Sequence, residues 1–395
     1  MVEQKIRKGY KQTELGIIPE DWVIGKLEDF FSFISYGFTN PMPTTTHGIS
    51  LITATDIDEG EIQLATSRHT TIEAYSKLTA KSKPKQNDIL LTKDGTLGRL
   101  ALVDNEKICI NQSVAIIRPN YKIIPLFLKY LLESPLYQRK MIQDAGGSTI
   151  KHIYITIVNL MKIAVPKEKS EQIKIAETMS NTNQLIKKYE KLIQKKKNIK
   201  QGAMQELLTG KRRLEGFSGE WKIMPFDKIF LKTPTKNFQI KTSEYKNSGK
   251  YPIIDQGKEK IIGYTDNEKK VFSCPKNGII IFGDHTREVK FVNENFVIGA
   301  DGTQIISTKN SSDITKFFFY QIKIKNIPNT GYNRHFKFLL EHEFFQPETE
   351  EQKAISNILS EMDSEIQHLE TQRDKYIQLK QGMMQKLLTG EIRLV

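Results

Sequence analysis

Apolar residues recur every three or four positions along two segments without proline, one after Pro166 and one after Pro347. This spacing predicts two long amphipathic helices with a coiled-coil seam, interrupted near Lys196 and Arg373. Thr-Gly pairs at 209–210 and 389–390 predict where the helices end. About 40 residues at ~1.5 Å each would make a rod of roughly 60 Å. The second seam contains Ile355, Leu359, Met362, Ile366, Leu369, Tyr376, Met383 and Leu387, and the first contains Ile175, Met179, Thr182, Ile186, Tyr189, Ile193, Ala203 and Leu207.

The chain before each helix has a different pattern, in which short β-branched runs are separated by Gly- and Asn-rich turns. Such runs predict strands, and Pro125–Glu133 and Asp313–Lys323 predict helices between them. We therefore expect two globular blocks of the mixed α/β (α+β) class with a mostly antiparallel sheet. The predicted strands are Ser50–Thr53, Ile89–Thr92, Leu100–Val103, Ile108–Ile110 and Val114–Arg118, then Ile253–Ile254, Ile279–Phe282, Lys290–Val292, Phe296–Ile298 and Gln304–Ser307.

The chain is an internal duplication. KQGAMQELLTG at 200–210 and KQGMMQKLLTG at 380–390 share nine of eleven residues, and 171–214 matches 351–394 at 18 of 44 positions. The only two tryptophans, Trp22 and Trp221, also lie in similar surroundings, and the segment ending at Asp94 parallels the one ending at Asp284. Repetition at a fixed offset indicates two copies of one structural unit. The expected boundaries are 1–165, 166–214, 215–346 and 347–395.

Charge adds a constraint on the two helices. The chain has 59 Lys and Arg against 46 Asp and Glu, a formal charge of +13. Segment 166–214 has 13 basic and 5 acidic residues, and segment 347–395 has 6 basic and 9 acidic residues. Helices of net charge +8 and −3 are suited to pair, so we expect an antiparallel coiled coil with pseudo-twofold symmetry. The alternative is that each helix packs on its own block.

Composition excludes several classes of protein. An apolar fraction of 38% supports globular cores, and two cysteines cannot build a disulfide framework. No apolar run is long enough to cross a bilayer and no secretion signal follows Met1, so a cytoplasmic protein is expected. The basic balance is compatible with a polyanionic partner.

Motifs for catalysis are missing from the sequence. There is no phosphate-binding loop, and the seven histidines lack metal-ligand spacing. Asn40-Pro41-Met42-Pro43 lacks the adjacent Pro and aromatic residue of amino-methyltransferases. Asp284 with 288–290 is spaced too tightly for a nuclease cluster. The sequence therefore favours binding over catalysis.

The candidate binding residues lie in polar loops that follow predicted strands. Arg and Lys can contact guanine, and Asn and Gln can contact adenine, but the same side chains also bind phosphates. His285 has two interpretations of about equal weight, a turn residue and a base contact. The candidates for DNA contact are Tyr36, Thr39, Asn40, Thr45, His47, Lys93, Thr96, Arg99, Lys151 and His152 in the first block, and Lys236, Gln256, Asp284, His285, Thr286, Arg287, Asn333 and Arg334 in the second.

Several segments resemble one known family. These are the opening 10–22 (YKQTELGIIPEDW), the block ends 163–166 (IAVP) and 345–347 (FQP), the Glu-Gln pairs that follow them, the segment 251–257 (YPIIDQG) and the Leu-Thr-Gly helix ends. Together they resemble the DNA-specificity subunit of type I restriction–modification systems, over essentially the whole chain. One departure is Gln346, where the family has an apolar residue.

The resemblance implies two target-recognition domains, 1–165 and 215–346, each reading one half of a split, asymmetric sequence in double-stranded DNA. The helices would hold them apart and dock two methyltransferase subunits, through which a restriction (translocase) subunit joins. The subunit would be non-catalytic, and S-adenosylmethionine, ATP and magnesium would belong to the partner subunits. No metal or cofactor is expected in this chain.

Three alternatives remain open. The chain could be the specificity subunit of a type IIB-like enzyme, whose partner fuses nuclease and methylase. It could be a basic coiled-coil scaffold that binds DNA without reading sequence. A stand-alone nuclease would require metal-dependent cleavage by the chain itself.

Overall fold

The computed structural model describes residues 6–104, 107–143, 151–299, 301–331 and 333–395. The chain forms two compact units. The first unit contains Met1–Lys188 and Gln372–Val395, and the second contains Tyr189–Thr371. Each unit therefore combines one globular block with part of each long helix.

The first unit is built on a four-stranded and a three-stranded sheet. The strands are β1 (Tyr10–Thr13), β2 (Gly16–Pro19), β3 (Trp22–Lys26), β4 (Phe31–Tyr36), β5 (Ile49–Ile52), β6 (Ile57–Asp58), β7 (Glu61–Ile62), β8 (Arg68–Thr70), β9 (Ile89–Thr92), β10 (Leu100–Leu102), β11 (Ile108–Ile110), β12 (Val114–Pro119) and β13 (Lys162–Pro166). The helices are α1 (Ile72–Ser76), α2 (Pro125–Glu133), α3 (Pro135–Gln143) and α4 (Ile155–Leu160). The sheet orders are β10-β9-β12-β4 and β11-β5-β8.

The four-stranded sheet is buried on both faces, which explains the unbroken apolar run of β9. Ile89 and Leu91 lie in a core with the residues of α2. Leu90, between them, lies in a second core with Ile52 and Ile110 of the three-stranded sheet. Alternate side chains of a strand point to opposite faces, so one strand supplies both cores.

The second unit repeats this plan. The two long helices are α5 (Lys169–Leu207) and α9 (Thr349–Leu387). Between them lie β14 (Lys222–Pro225), α6 (Phe226–Ile229), β15 (Phe230–Thr233), β16 (Tyr251–Ile254), β17 (Gly263–Thr265), β18 (Ile279–Gly283), β19 (Val289–Val292), β20 (Val297–Ile298), β21 (Thr303–Thr308), α7 (Thr315–Ile324), α8 (Phe336–Leu340) and β22 (Glu343–Gln346). The sheet orders are β15-β21-β18-β19 and β17-β16-β20.

The fold class predicted from the sequence is confirmed. Each predicted strand overlaps an observed one, α2 has its predicted bounds, and α7 overlaps its prediction. Most strand pairs are antiparallel; the pairs β5–β11 and β16–β20 are parallel. The prediction missed the two-stranded sheets β3–β13 and β14–β22, which join the start of each block to its end.

In the first unit, the start of α5 lies along the end of α9. Lys380 Nζ donates to Asn183 Oδ1 at 2.7 Å, and Arg393 pairs with Glu171. In the second unit, Lys196 and Lys197 of α5 pair with Glu365 and Glu370 of α9 at 2.6 and 2.7 Å, and Lys200 pairs with Asp363. From Glu171 to Asn183 the partner falls from Arg393 to Lys380, and from Lys200 to Arg213 it falls from Asp363 to Glu351, so the segments are antiparallel within each unit. The basic helix meets the acidic one, as the charges predicted.

The helix ends also pack on the globular blocks. Ile175 of α5 and Leu387 of α9 are buried in the core of the first unit. Leu207 of α5 and Ile355 of α9 are buried in the core of the second. The start of each helix packs on its own block and its end on the other block, so packing on the own block, expected as the alternative to helix pairing, occurs together with it.

A buried carboxylate joins the two helices in each unit. Glu351 is 2% exposed and accepts hydrogen bonds from the Arg213 guanidinium at 2.6 and 2.7 Å and from Trp221 Nε1 at 2.8 Å. In the first unit, Glu171 accepts from Arg393, which also binds Asp21. The hydrogen bond from the Arg393 guanidinium lowers the pKa of the Asp21 carboxyl group.

The glutamine after each of these glutamates fixes the helix to its block. Gln172 Oε1 accepts from Ile124 N at 2.8 Å, and Gln352 Oε1 accepts from Ile314 N at 2.8 Å. Their Nε2 atoms donate to the carbonyls of Pro166 and Pro347. The repeated Glu-Gln pair is therefore the joint at which helix and block meet.

None of the helices in the described part of the chain has the length and apolar character needed to cross a membrane.

We expect Glu351→Ala to destabilise the second unit by about 3 kcal/mol, because it leaves the Arg213 guanidinium and the Trp221 N–H without their acceptor. The measurement is hydrogen exchange of amides in the second unit. Glu370→Ala, which removes a partly exposed ion pair between the same two helices, should change the free energy of unfolding by under about 0.5 kcal/mol. Equal losses of stability in the two variants would contradict the role assigned to the buried Glu351 carboxylate.

Candidate nucleic-acid interface

In the first unit, the turn after β9 meets residues 151–153 at one end of the four-stranded sheet. Asp94 and His152 form a β-bridge, and Ile153 N donates to Lys93 O at 2.9 Å. The Asp94 carboxylate binds His152 Nδ1 at 2.6 Å and Lys93 Nζ at 2.7 Å. Lys93 Nζ also lies 5.4 Å from the ring centroid of Tyr36. Three candidates, Tyr36, Lys93 and His152, thus assemble around Asp94.

Other candidates of the first unit hold loops in place. Arg99 Nη1 donates to Ile57 O at 3.1 Å and pairs with Asp58 at 3.2 Å. Thr96 Oγ1 contacts Ala54 O at 3.4 Å, so this turn is fastened to residues 54–58. Thr45 Oγ1 donates to His47 O at 2.8 Å within its own loop. Thr39, Asn40, His47 and Lys151 are exposed, as are Tyr36, Thr45 and Thr96. Residues 148–150, directly before the candidate Lys151, lie outside the described residues.

The second unit has the equivalent junction, between the turn after β18 and the segment that leads into α8. His335 N donates to Asp284 O at 2.7 Å, and His335 Nδ1 lies 2.9 Å from the same oxygen. The Asp284 carboxylate accepts from Phe336 N at 2.8 Å and from Gln304 Nε2 at 3.3 Å. Asp284 is 3% exposed and His335 is fully buried.

The structure thus places Asp284, a candidate for DNA contact, inside the unit. Its carboxylate is directed into the unit and is used by the backbone of α8 and by a neighbouring strand. A buried carboxylate with these internal donors is not presented to a base. Its role in the structure is to hold two loops together.

Gln256 also holds loops rather than extending from the surface. Its Oε1 accepts from His285 N at 3.0 Å, and its Nε2 donates to Asp301 O at 2.8 Å. Thr286 Oγ1 donates to Gln256 O at 2.5 Å. The segment around it is tied down by Lys290 Nζ, which donates to Asp255 O at 2.9 Å. Burial lowers the pKa of Lys290.

The turn that carries His285 is tightly built. Arg287 has a φ of 63°, a left-handed conformation uncommon for a residue with a side chain, and its Nη1 donates to Ile327 O at 3.1 Å. A Cβ at Gly302 would lie 2.8 Å from His285 Cδ2, so glycine is required where the loops cross. Strained backbone of this kind is concentrated at functional sites. Lys236, Asn333 and Arg334 belong to the same block and are exposed. Tyr332 lies outside the described residues.

The two junctions correspond within the duplication. Asp94 and Asp284 are 190 residues apart, and His152 and His335 occupy the matching loops. The first junction is partly exposed and the second is buried. The repeat alignment of Asp94 with Asp284 was the signal that could have identified Asp94 as a site residue; the prediction overlooked it.

The chemistry of these loops is that of binding. Lys151, Lys236 and Arg334 form no ion pair in the described part of the chain, so their charges are available to an anion. Hydroxyl and amide groups lie on the same loops, which suits contacts to phosphates and base edges. Among the residues that the structure describes, no group of three or more His, Cys, Asp or Glu side chains could hold a metal ion.

Sequence comparison shows relatives with a common description. A family model described as the type I restriction modification DNA specificity domain matches residues 19–201 and again 218–379. The chain is 24% identical to the putative type I restriction enzyme MjaX specificity subunit of Methanocaldococcus jannaschii, over 98% of this chain and 97% of that one. It is 35% identical to the EcoBI specificity subunit of Escherichia coli over 134 residues, which are 33% of this chain and 28% of that one.

Solved structures share the fold. The S subunit of a type I restriction–modification system from M. genitalium superposes with a TM-score of 0.67 at 17% identity, over 97% of this chain and 98% of that one. A structure described as the basis of complex assembly and conformational transition of the type I system has a TM-score of 0.57 at 15% identity, over 95% and 99%.

Asp284→Ala should destabilise the second unit by about 1–3 kcal/mol, since Phe336 N and Gln304 Nε2 lose a buried acceptor. Hydrogen exchange should accelerate in the 284–287 turn and at the start of α8. Asp94→Ala is the matched control in the first unit and should cost less, because its partners are partly exposed. An exposed, purely ligand-binding role for Asp284 would instead leave exchange in both loops unchanged.

Proposed function

The chain belongs to the type I restriction–modification DNA-specificity family, and from that premise we propose that it reads a bipartite, asymmetric sequence in double-stranded DNA. The observation that carries this proposal is that the two units present the same loop junction with different side chains. Duplicated scaffolds with unlike loops suit two unlike half-sites, since base edges are read by individual side chains.

In this proposal, residues 1–165 and 215–346 are the two target-recognition domains, and residues 166–214 and 347–395 are the spacer helices. Support comes from the composition of each unit, in which a globular block is joined to part of both helices. Half-site separation mirrors the separation of reading elements on a protein. The helices would therefore set the length of the unread DNA between the half-sites.

Two methyltransferase subunits would dock on the helices, and a restriction subunit would join through them. Leu379 of the first unit and Ile199 of the second, 180 residues apart in the repeat, are 51% and 47% exposed. Around Leu379 lies a groove of about 640 Å³ that is largely apolar, with Met383 and Ile392 in its wall. Exposed apolar surface marks protein interfaces, and an exposed apolar side chain at the same repeat position in each unit suits two copies of one partner.

Specificity subunits are the non-catalytic members of type I enzymes. We propose that S-adenosylmethionine, ATP and magnesium are bound by the methyltransferase and restriction subunits, and that the complex acts in the cytoplasm. The chain's own contribution would be binding, in which fixed loops choose the sequence and the helices place the partners on it.

Methylome sequencing of DNA exposed to this chain and its methyltransferase should show an asymmetric motif of two parts with a fixed spacer. Replacing residues 215–346 with the corresponding block of a relative should change one half-site and leave the other intact. A single uninterrupted motif would contradict the proposal. Salt-sensitive binding without sequence preference would indicate a non-specific scaffold instead.

Inserting one helical turn into both α5 and α9 should lengthen the spacer and leave both half-sites unchanged, because the helices would act only on separation. The same methylome readout measures both quantities. Inserting the turn into α5 alone is the control, since it breaks the register of the antiparallel segments and should reduce activity. Changed half-sites with an unchanged spacer would refute the role of the helices.

A further inference from the structure

A concavity of about 250 Å³ lies in the first unit beside the three-stranded sheet. Its walls are the 38–44 loop, Leu51 of β5, Arg68 of β8 and the residues Asn111 and Gln112 that follow β11. Of these residues, Thr39 and Asn40 are candidates predicted from the sequence, whereas Arg68 and Gln112 are not.

The loop that forms one wall is fixed to the sheet. Phe38 N donates to Ile110 O at 3.2 Å, and Gln112 N donates to Phe38 O at 2.8 Å. A Cβ at Gly37 would lie 2.0 Å from Ile110 O, so only glycine permits this close approach. Beyond the loop, Thr45 N donates to His69 O at 3.0 Å. Backbone bonds at both ends of the loop keep the concavity preformed.

Arg68 has charge and donors that no other described residue uses. It stands directly opposite Leu51 in the β5–β8 pair, so the two side chains share one face of the sheet. Arg68 is exposed and forms no ion pair or side-chain hydrogen bond in the described part of the chain. The side-chain amides of Asn40 and Gln112 likewise have no hydrogen bond to other described residues, and Leu51 supplies a buried apolar floor.

The corresponding place in the second unit is closed by its own side chains. The bridge Gln239–Ile298 stands where Phe38–Asn111 stands in the first unit. Asp301, in the segment that follows β20, accepts from Gln239 Nε2 at 3.0 Å and, through its backbone oxygen, from Gln256 Nε2 at 2.8 Å. The amides that could face a ligand there are used internally. In the first unit Asn111 Oδ1 accepts from Ser113, whereas the side-chain amides of Asn40 and Gln112 remain uncommitted.

We infer that this concavity receives the edge of a guanine from the half-site read by the first unit, with Arg68 as the residue that specifies it. The inference rests on the proposed function. A guanidinium presents two parallel donors that match guanine O6 and N7, and the pocket has no carboxylate that would accept from cytosine. A phosphate contact needs no preformed concavity with an apolar floor, so the surroundings favour a base.

The test compares the methylomes produced by the wild-type chain, Arg68→Ala and Arg68→Lys with the methyltransferase partner. Arg68→Ala should relax the motif at one G:C position of one half-site, leave the other half-site unchanged, and weaken binding of the cognate site roughly 10- to 100-fold. Arg68→Lys should recover part of the affinity without full discrimination. Arg139→Ala, an exposed arginine of the same unit, is the matched control and should leave the motif unchanged.

Two results would overturn the inference. One is a wild-type motif without a G:C pair in the half-site that block replacement leaves intact. The other is an unchanged motif in Arg68→Ala, with equal weakening on all sequences and a salt dependence reduced by about one phosphate contact. Thermal unfolding of each variant confirms that the unit is folded. If the wild-type chain yields no bipartite motif, the proposed function is wrong. If the wild-type motif is bipartite and the Arg68 variants give the same motif as Arg139→Ala, only the inference about guanine is wrong.

Discussion

The structure depends on the Glu-Gln pair at the start of each long helix. Glu171 and Glu351 are buried carboxylates, and each is neutralised by an arginine from the end of the other helix. A buried charge is tolerated only when it is paired and hydrogen-bonded, so the carboxylate requires the second helix to be present. The adjacent glutamine satisfies backbone groups of the block. One dipeptide thus imposes both the direction of helix pairing and the attachment of the block, and this is why it occurs in both copies.

Much of the architecture could be predicted because it is written in local patterns. Seam positions such as Ile175 and Ile355 follow the helical period, and both are buried. Opposite helix charges predicted the contacts of Lys196 and Lys197 with acidic partners. The strand β9 was recognisable from its unbroken apolar run, although only the structure shows that Leu90 and its neighbours serve two different cores.

The candidate site was less predictable, because the fate of a polar side chain depends on distant segments. Asp284 follows a buried strand and occupies a turn, a position that usually places an acidic side chain in solvent. Its carboxylate is instead buried, because it accepts a hydrogen bond from Phe336 N, 52 residues later. The strands β3 and β14 were missed for the same reason, as their partners lie at the far ends of the blocks. Arg68 lies in no recognisable sequence motif. It became a candidate only because the structure places the 38–44 loop beside it in one concavity.

The net charge of +13 is a poor guide to where DNA would bind. Lys196, Lys197 and Lys200 are committed to the helix pair, and Arg213 and Arg393 to the helix joints. Sequence reading needs few donors, but it needs them uncommitted and held by an ordered backbone, since an unmatched base then costs a full hydrogen bond. The tight turns at Gly37 and Gly302 provide such backbone. The five basic side chains of the helix pair and the helix joints therefore serve the scaffold. Under the proposed function, discrimination would fall to a small number of side chains whose neighbours leave their hydrogen bonds unused.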